Sequence, residues 1–137
     1  SVFIDMNIRT KSVYSPIDPE HDGLRILATR LRGRGLPKTT YDVWMANLGP
    51  SEALLHAFKE KSISWNEFSR RYREELFKSS DDFDERNPNI KNHGQKFTLR
   101  LLQELAKQSP ITLLCVCAEE EKECHRHLLK KILESVI

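Results

Sequence analysis

The run Ile111-Thr-Leu-Leu-Cys-Val-Cys-Ala118 narrows the choice of fold more than any other stretch of this chain. It is continuously apolar or β-favouring, without polar alternation. Such a run suits a strand covered on both faces, as in a parallel sheet. Pro110 lacks an N–H and fits only at the strand's first position. Cys115 and Cys117 stand two apart and so share a face. A short acidic loop follows, Glu119 to Glu123, and then a helix opening at Cys124-His-Arg126. Leu128, Leu129, Ile132, Leu133 and Val136 recur at helical spacing. Counting back by four, Cys124 and His125 continue this buried stripe, whereas His127 falls with Lys130 and Lys131 on the wet face.

This order of strand, loop and helix aims Cys124 and His125 at the carboxyl end of the strand, where open α/β sheets bind ligands. The first turn of a helix also presents free N–H groups and a positive partial charge. A thiol there, beside His125 and Arg126, is expected to ionise more easily than a free cysteine, whose pKa is about 8.5. Cys124 is therefore the candidate nucleophile, with His125 or Glu119 moving protons. Cys115 is read as a small buried hydrophobe. Cys117, Cys124 and His125, with Cys115 or Glu119 as a fourth, also form a mixture that tetrahedral zinc accepts. Their spacing matches no standard finger pattern, so no metal and no cofactor are expected.

The chain has 137 residues and is expected to form one domain over 1–137. That length is enough for one core. Three cysteines, an odd number, and no secretory signal segment argue against a disulfide framework and towards the cytoplasm. No apolar run approaches the roughly 18 residues needed to cross a membrane. The formal net charge is +2, so total charge names no partner. Charge distribution is more informative. Between Gly23 and Tyr41 lie five cations, Arg25, Arg30, Arg32, Arg34 and Lys38, and no acid. The glycines there let backbone N–H groups approach an anion, and Arg offers a bidentate fork to phosphate or carboxylate.

Elsewhere, Val2, Ile4, Met6 and Ile8 alternate as a first strand, extending towards Val13-Tyr14. Leu24 to Leu31 fits either a helix or a short strand. Thr40 to Leu48 holds a short strand, and Ser51 caps a helix carrying Leu54, Leu55 and Phe58. Ser64-Trp-Asn-Glu67 is a capping box, with Ile63 stapled onto Phe68. Trp65, Phe68, Tyr72 and Leu76 form the core stripe of that helix, and Arg70, Arg71 and Arg73 its solvated face. Ser79 to Gly94 reads as a long polar loop, which at that length is usually a lid or disordered. A helix over Gln95 to Gln108 turns Leu101, Leu102 and Leu105 inward. Alternating helices and strands predict an α/β fold, a mostly parallel sheet flanked by helices in a Rossmann-like three-layer arrangement.

These motifs together resemble the domain-of-unknown-function-488 family, and especially its YeaO-like branch. The resemblance lies in Asp22-Gly-Leu-Arg-Ile-Leu-Ala-Thr-Arg-Leu-Arg-Gly-Arg-Gly35, in Val13-Tyr-Ser-Pro16, in Trp44 to Ser51 and in Phe68 to Leu76. Cys117-Ala-Glu119 and Cys124-His-Arg126 are similar to the C-terminal pattern of another branch. Thr29 stands where the family usually has an acid, and Arg32-Gly33 replaces Trp-Pro. The resemblance implies an α/β fold with the basic loop and the Cys-His-Arg start at one sheet edge, and it favours a strand over Arg25 to Arg30. It implies no settled activity. The expected site is accordingly a small-anion site. Arg25, Arg30, Arg32, Arg34, Arg126 and Cys117 would hold a phosphate or carboxylate beside Cys124, His125 and Glu119. The alternative is a non-catalytic module that binds nucleic acid or protein through the basic stretch and Arg70 to Arg73.

Overall fold

A run of buried β-branched and leucine side chains forms the centre of the sheet. In the computed structural model, which describes residues 6–77, 83–84, 87–91 and 95–137, that strand is the last one in the chain. Strand β1 covers Ile8–Ser12, β2 Leu24–Leu27 and β3 Val43–Trp44. Helices α1 (Glu52–Lys59) and α2 (Trp65–Phe77) follow. Next come the short strands β4 (Phe83–Asp84) and β5 (Asn87–Lys91), then α3 (Lys96–Gln108), β6 (Ile111–Cys115) and α4 (His125–Leu133). The four-stranded sheet has the order β1-β6-β2-β3, and every pairing in it is parallel. All five residues of β6 are buried, as a strand flanked and covered on both sides requires.

Side-chain alternation divides the core in two. Ile8, Ile26, Ala28, Ile111 and Leu113 face the helices and pack with Phe68, Tyr72, Leu76, Leu99, Leu102, Leu129 and Leu133. Leu27 and Leu114 point the other way, onto Val13, Leu36 and Tyr41. Among the described residues, the segments packed on that second face are coil and the 3₁₀ turn Lys38–Thr40.

Several sequence expectations shift in detail. The first strand runs from Ile8 to Ser12; Val2 and Ile4 lie outside the described residues. β2 ends at Leu27, so Ala28 to Arg30 leave the sheet. β6 ends at Cys115, so Val116, Cys117 and Ala118 are loop, and Val116 is 40% exposed. The expected capping box at Ser64 is half made. Ser64 Oγ accepts from Glu67 N at 3.1 Å, but the Glu67 carboxylate turns to Arg70 and Arg71. On α3 the inward stripe is Leu99, Leu102 and Ala106, while Leu101 and Leu105 are 56% and 38% exposed. Phe97, Leu101 and Leu105 form a second apolar stripe at helical spacing, so periodicity alone could not choose between the two. Val136 lies beyond the end of α4 and is exposed. Residues 79–94 were read as one loop, yet β4 and β5 pair antiparallel within them. The rest of that segment, His93 and any lid role included, lies outside the described residues. Among those residues no helix is long and apolar enough to cross a membrane.

Candidate thiol–imidazole site at the sheet's carboxyl edge

The parallel sheet sends three chain ends to one edge. Val13 N bonds Cys115 O at 2.8 Å and Ala28 N bonds Leu114 O at 2.9 Å, so β1 and β2 track β6 to its last residue and then diverge. In β6, Ile111, Leu113 and Cys115 share the face on which the helices pack. Cys115 is thereby the strand's last inward residue, directly opposite the start of α4. Cys124 is the N-cap of α4 in extended conformation, and Cys124 O receives the His127 amide at 3.1 Å. His127 is half-buried. It bonds the Glu121 carbonyl at 3.0 Å and lies 3.4 Å from Thr10 Oγ1, which ties the 116–123 loop down.

The imidazole of His125 is held by its surroundings. Nε2 contacts Ala28 O, an acceptor only, so Nε2 carries the hydrogen. Nδ1 then faces Cys115 Sγ at 3.9 Å. The Tyr72 ring meets His125 edge-on at 5.6 Å and fixes its plane. Tyr72 itself is wholly buried and donates to Leu48 O at 2.5 Å. Burial, with the neighbouring thiols, pushes its hydroxyl pKa well above the usual range, so it remains a donor.

The three thiols act on one another. The neighbouring Cys117 and Cys124 thiols, aided by His125 and against burial, hold the Cys115 pKa below that of a free thiol. Cys117 is pushed up to about 11 by its bond to Cys115. Cys124 is pushed further up by Cys115 and Cys117 together, with burial adding to the effect. The thiol whose ionisation this cluster favours is therefore Cys115. Cys124, the expected nucleophile, caps α4 beside Cys115 and His125.

A cleft of about 590 Å³ opens over this cluster. Cys115, Cys117, Cys124, His125, Thr29 and Arg30 line its polar side, and Leu55, Phe58, Phe68 and Val116 its apolar side. Glu52, Glu121 and Glu123 also line it. Thr29 Oγ1 is buried and has no hydrogen-bond partner among the described residues. Gly49 presses against Arg30 N and Thr29; a Cβ there would sit 2.3 Å from Arg30 N. Arg30 donates to Gly49 O at 2.8 Å, which holds its guanidinium at the cleft wall.

Of the expected anion-binding residues, the cleft gathers Arg30 and Cys117. Arg25 is buried, pairing with Asp22 and donating to Thr40 O. Arg32 donates to Leu36 O at 2.6 Å and lies over the Tyr41 ring. Arg34 is exposed. Arg126 is fully buried and turned from the cleft towards Ala118 O and Glu119 O, at 3.2 and 2.8 Å. Glu119 is held by Ser12 N and Ser15 Oγ at 3.1 and 2.6 Å, so its placement gives it a structural post. Burial would raise its pKa, but the Ser15 and Ser12 bonds and Arg126 outweigh that and keep it low. Arg70 and Arg71 are engaged by Glu67 and Glu74, and Arg73 lies over Phe77.

Sequence reasoning missed Cys115 as the partner of His125, and Thr29 as an orphaned hydroxyl in the cleft. The signal for Cys115 was available. It shares its face with Ile111 and Leu113, on which a following helix must pack. Cys115, Cys124 and His125 also bring their ligating atoms within 4.8 Å of one another, so they could hold a metal ion.

Comparison with known proteins adds a family. Residues 8–136 match the family described as the active DUF488-N3 subclade. The uncharacterized protein YeaO of Escherichia coli (strain K12) is 32% identical over 133 residues, 96% of this chain and all of YeaO. Two further relatives are the uncharacterized proteins Rv3073c of Mycobacterium tuberculosis (strain H37Rv) and Mb3100c of Mycobacterium bovis. Each is 33% identical over 78 residues, 56% of this chain and 65% of the relative. No solved structure matches the chain.

Proposed function

We propose, from the premise that this chain belongs to the DUF488 family and to its active DUF488-N3 subclade, that the cleft is a thiol-dependent site for a small anionic ligand. Cys115 is the nucleophile, His125 the base, and the Ala28 carbonyl the group that orients the base. One observation carries this reading: Cys115 Sγ faces Nδ1 of an imidazole whose Nε2 is turned to a fixed acceptor. That is the nucleophile, base and orienter relation on which covalent catalysis by cysteine rests.

The ligand's carboxylate or phosphate meets Arg30, with the free Thr29 hydroxyl beside it, and its apolar body lies on Leu55 and Phe58. In the reaction the Cys115 proton passes to Nδ1, the sulfur attacks an electrophilic centre of the ligand, the bond from that centre to its leaving group breaks, and the leaving group departs with the proton from Nδ1.

Limited alkylation of the metal-free protein with iodoacetamide near neutral pH tests this. Cys115 is expected to be labelled before Cys117 although Cys117 is the less buried of the two. His125→Gln is expected to slow labelling at Cys115 about tenfold or more, while Arg30→Gln leaves it unchanged but abolishes protection by phosphate or a small carboxylate. Preferential labelling of Cys117, indifferent to His125→Gln, would remove Cys115 from the role.

A further inference from the structure

We infer that Cys115, Cys124 and His125 form a binding site for a soft divalent ion of the zinc class, held by Cys115 Sγ, Cys124 Sγ and His125 Nδ1. The site shares its residues with the thiol reading but does not depend on it.

Four observations support it. First, the three ligating atoms lie within 4.8 Å of one another and all three residues are buried, unlike an exposed acidic cluster. Second, the separation of Cys115 Sγ from His125 Nδ1, 3.9 Å, is near the edge of a zinc tetrahedron. With Zn–S near 2.3 Å and Zn–N near 2.0–2.1 Å, that edge is about 3.6 Å. Third, His125 has the support a metal-bound imidazole requires: its other nitrogen is committed to the Ala28 carbonyl, which fixes both the tautomer and the ring direction. Fourth, the ligands arrive on two rigid pieces, the end of a buried strand and the first residues of a helix. The donor set of two thiolates and an imidazole selects zinc over magnesium or calcium.

The charge balance is simple. Zn²⁺ is held by two thiolates and neutral His125, which leaves a neutral centre, and any thiol proton it displaces goes to solvent. Three protein ligands leave the fourth position facing the cleft that all three line. A zinc-loaded site holds the Cys115 sulfur in coordination, so metal silences the nucleophile; this consequence alone rests on the thiol reading.

The test is a titration of reduced, metal-free, full-length protein with zinc against a chromophoric chelator. One equivalent is expected to bind, and Cys124→Ser is expected to weaken binding at least tenfold. Cobalt(II) is expected to give the visible bands of a tetrahedral ion with sulfur-to-metal charge transfer, lost in Cys124→Ser. Equal binding by wild type and Cys124→Ser, or no binding by wild type, overturns the site. A measurement on wild type alone guards against a variant that fails to fold. Zinc is expected to protect Cys115 and Cys124 from alkylation, and unchanged labelling of both overturns the site as well. Failure here is distinct from failure of the thiol reading, because the alkylation order is measured without metal.

Discussion

Cys115 and Cys124 show how one residue's role depends on where its backbone stops. The run from Ile111 to Ala118 is a strand in any reading of its composition, and nothing in the letters says that pairing ends at Cys115. That end comes from the neighbours, as Val13 and Ala28 take the last carbonyls of β6 before the chain turns out. It puts a thiol, and not a leucine, at the inward corner facing His125. Thr29 and Arg30 reach the same corner because Gly49 lets the 46–50 segment lie directly on their backbone. A methyl group at Gly49 would meet Arg30 N at 2.3 Å and the Thr29 carbonyl carbon at 2.8 Å, both of them backbone atoms that cannot swing aside. Gly49→Ala is therefore expected to destabilise the fold by about 2 kcal/mol, the scale of overpacking a close contact. It should also displace Arg30 from the cleft. Chemical denaturation checks the first effect. Loss of phosphate protection at Cys115 checks the second.

Among the elements, those with a local punctuation mark were legible and those defined by a partner were not. Ser51 caps α1 through Leu54 N, and Cys124 opens α4, both as their sequences indicate. Strand β2 was ambiguous with a helix until the resemblance favoured it, because a four-residue strand has no period of its own. The inward face of α3 was misassigned because two apolar stripes compete there and only packing against α4 decides. Helix α2 illustrates an element whose core stripe also serves the site. Tyr72 packs its ring on His125 and gives its hydroxyl to the Leu48 carbonyl. Tyr72→Phe keeps the ring and leaves that carbonyl unpaired in a buried place. The expected cost is about 1–2 kcal/mol of stability, with the alkylation order of the three cysteines unchanged. A shift in the denaturation midpoint without a change in labelling is the outcome that separates support of the fold from chemistry at the site.

At the scale of the whole molecule, one buried carboxylate joins the strands whose far ends build the cleft. Asp22 is 1% exposed. Its side chain accepts from Lys11 on β1 at 3.0 Å, from Arg25 on β2 and from Asp18 N at 2.9 Å. Its carbonyl takes Thr112 Oγ1 of β6 at 2.7 Å, so three adjacent strands meet at this residue. The Arg25 guanidinium is thus engaged by an internal carboxylate. Burial alone would raise the Asp22 pKa, but the Asp18 amide, Lys11 and Arg25 outweigh it and hold it below the usual carboxylate value. A carboxyl lowered in the folded state binds its proton less readily there than in the unfolded chain. Its contribution is therefore complete above the unfolded pKa, about 3.9, and is lost as pH falls through the lower folded value. Asp22→Asn removes the charge while keeping the shape, and leaves Lys11 and Arg25 facing each other without a counterion. The expected loss is about 3 kcal/mol at pH 7, the scale for breaking a buried pair. Urea denaturation of both proteins as a function of pH measures it. The gap between them should be constant from about pH 7 down to pH 5 and close below about pH 4, where wild type takes up the proton that the variant never needs. A gap that persists undiminished into strong acid would mean that Asp22 holds the strands by the hydrogen bonds that both its oxygens accept, with its charge contributing nothing.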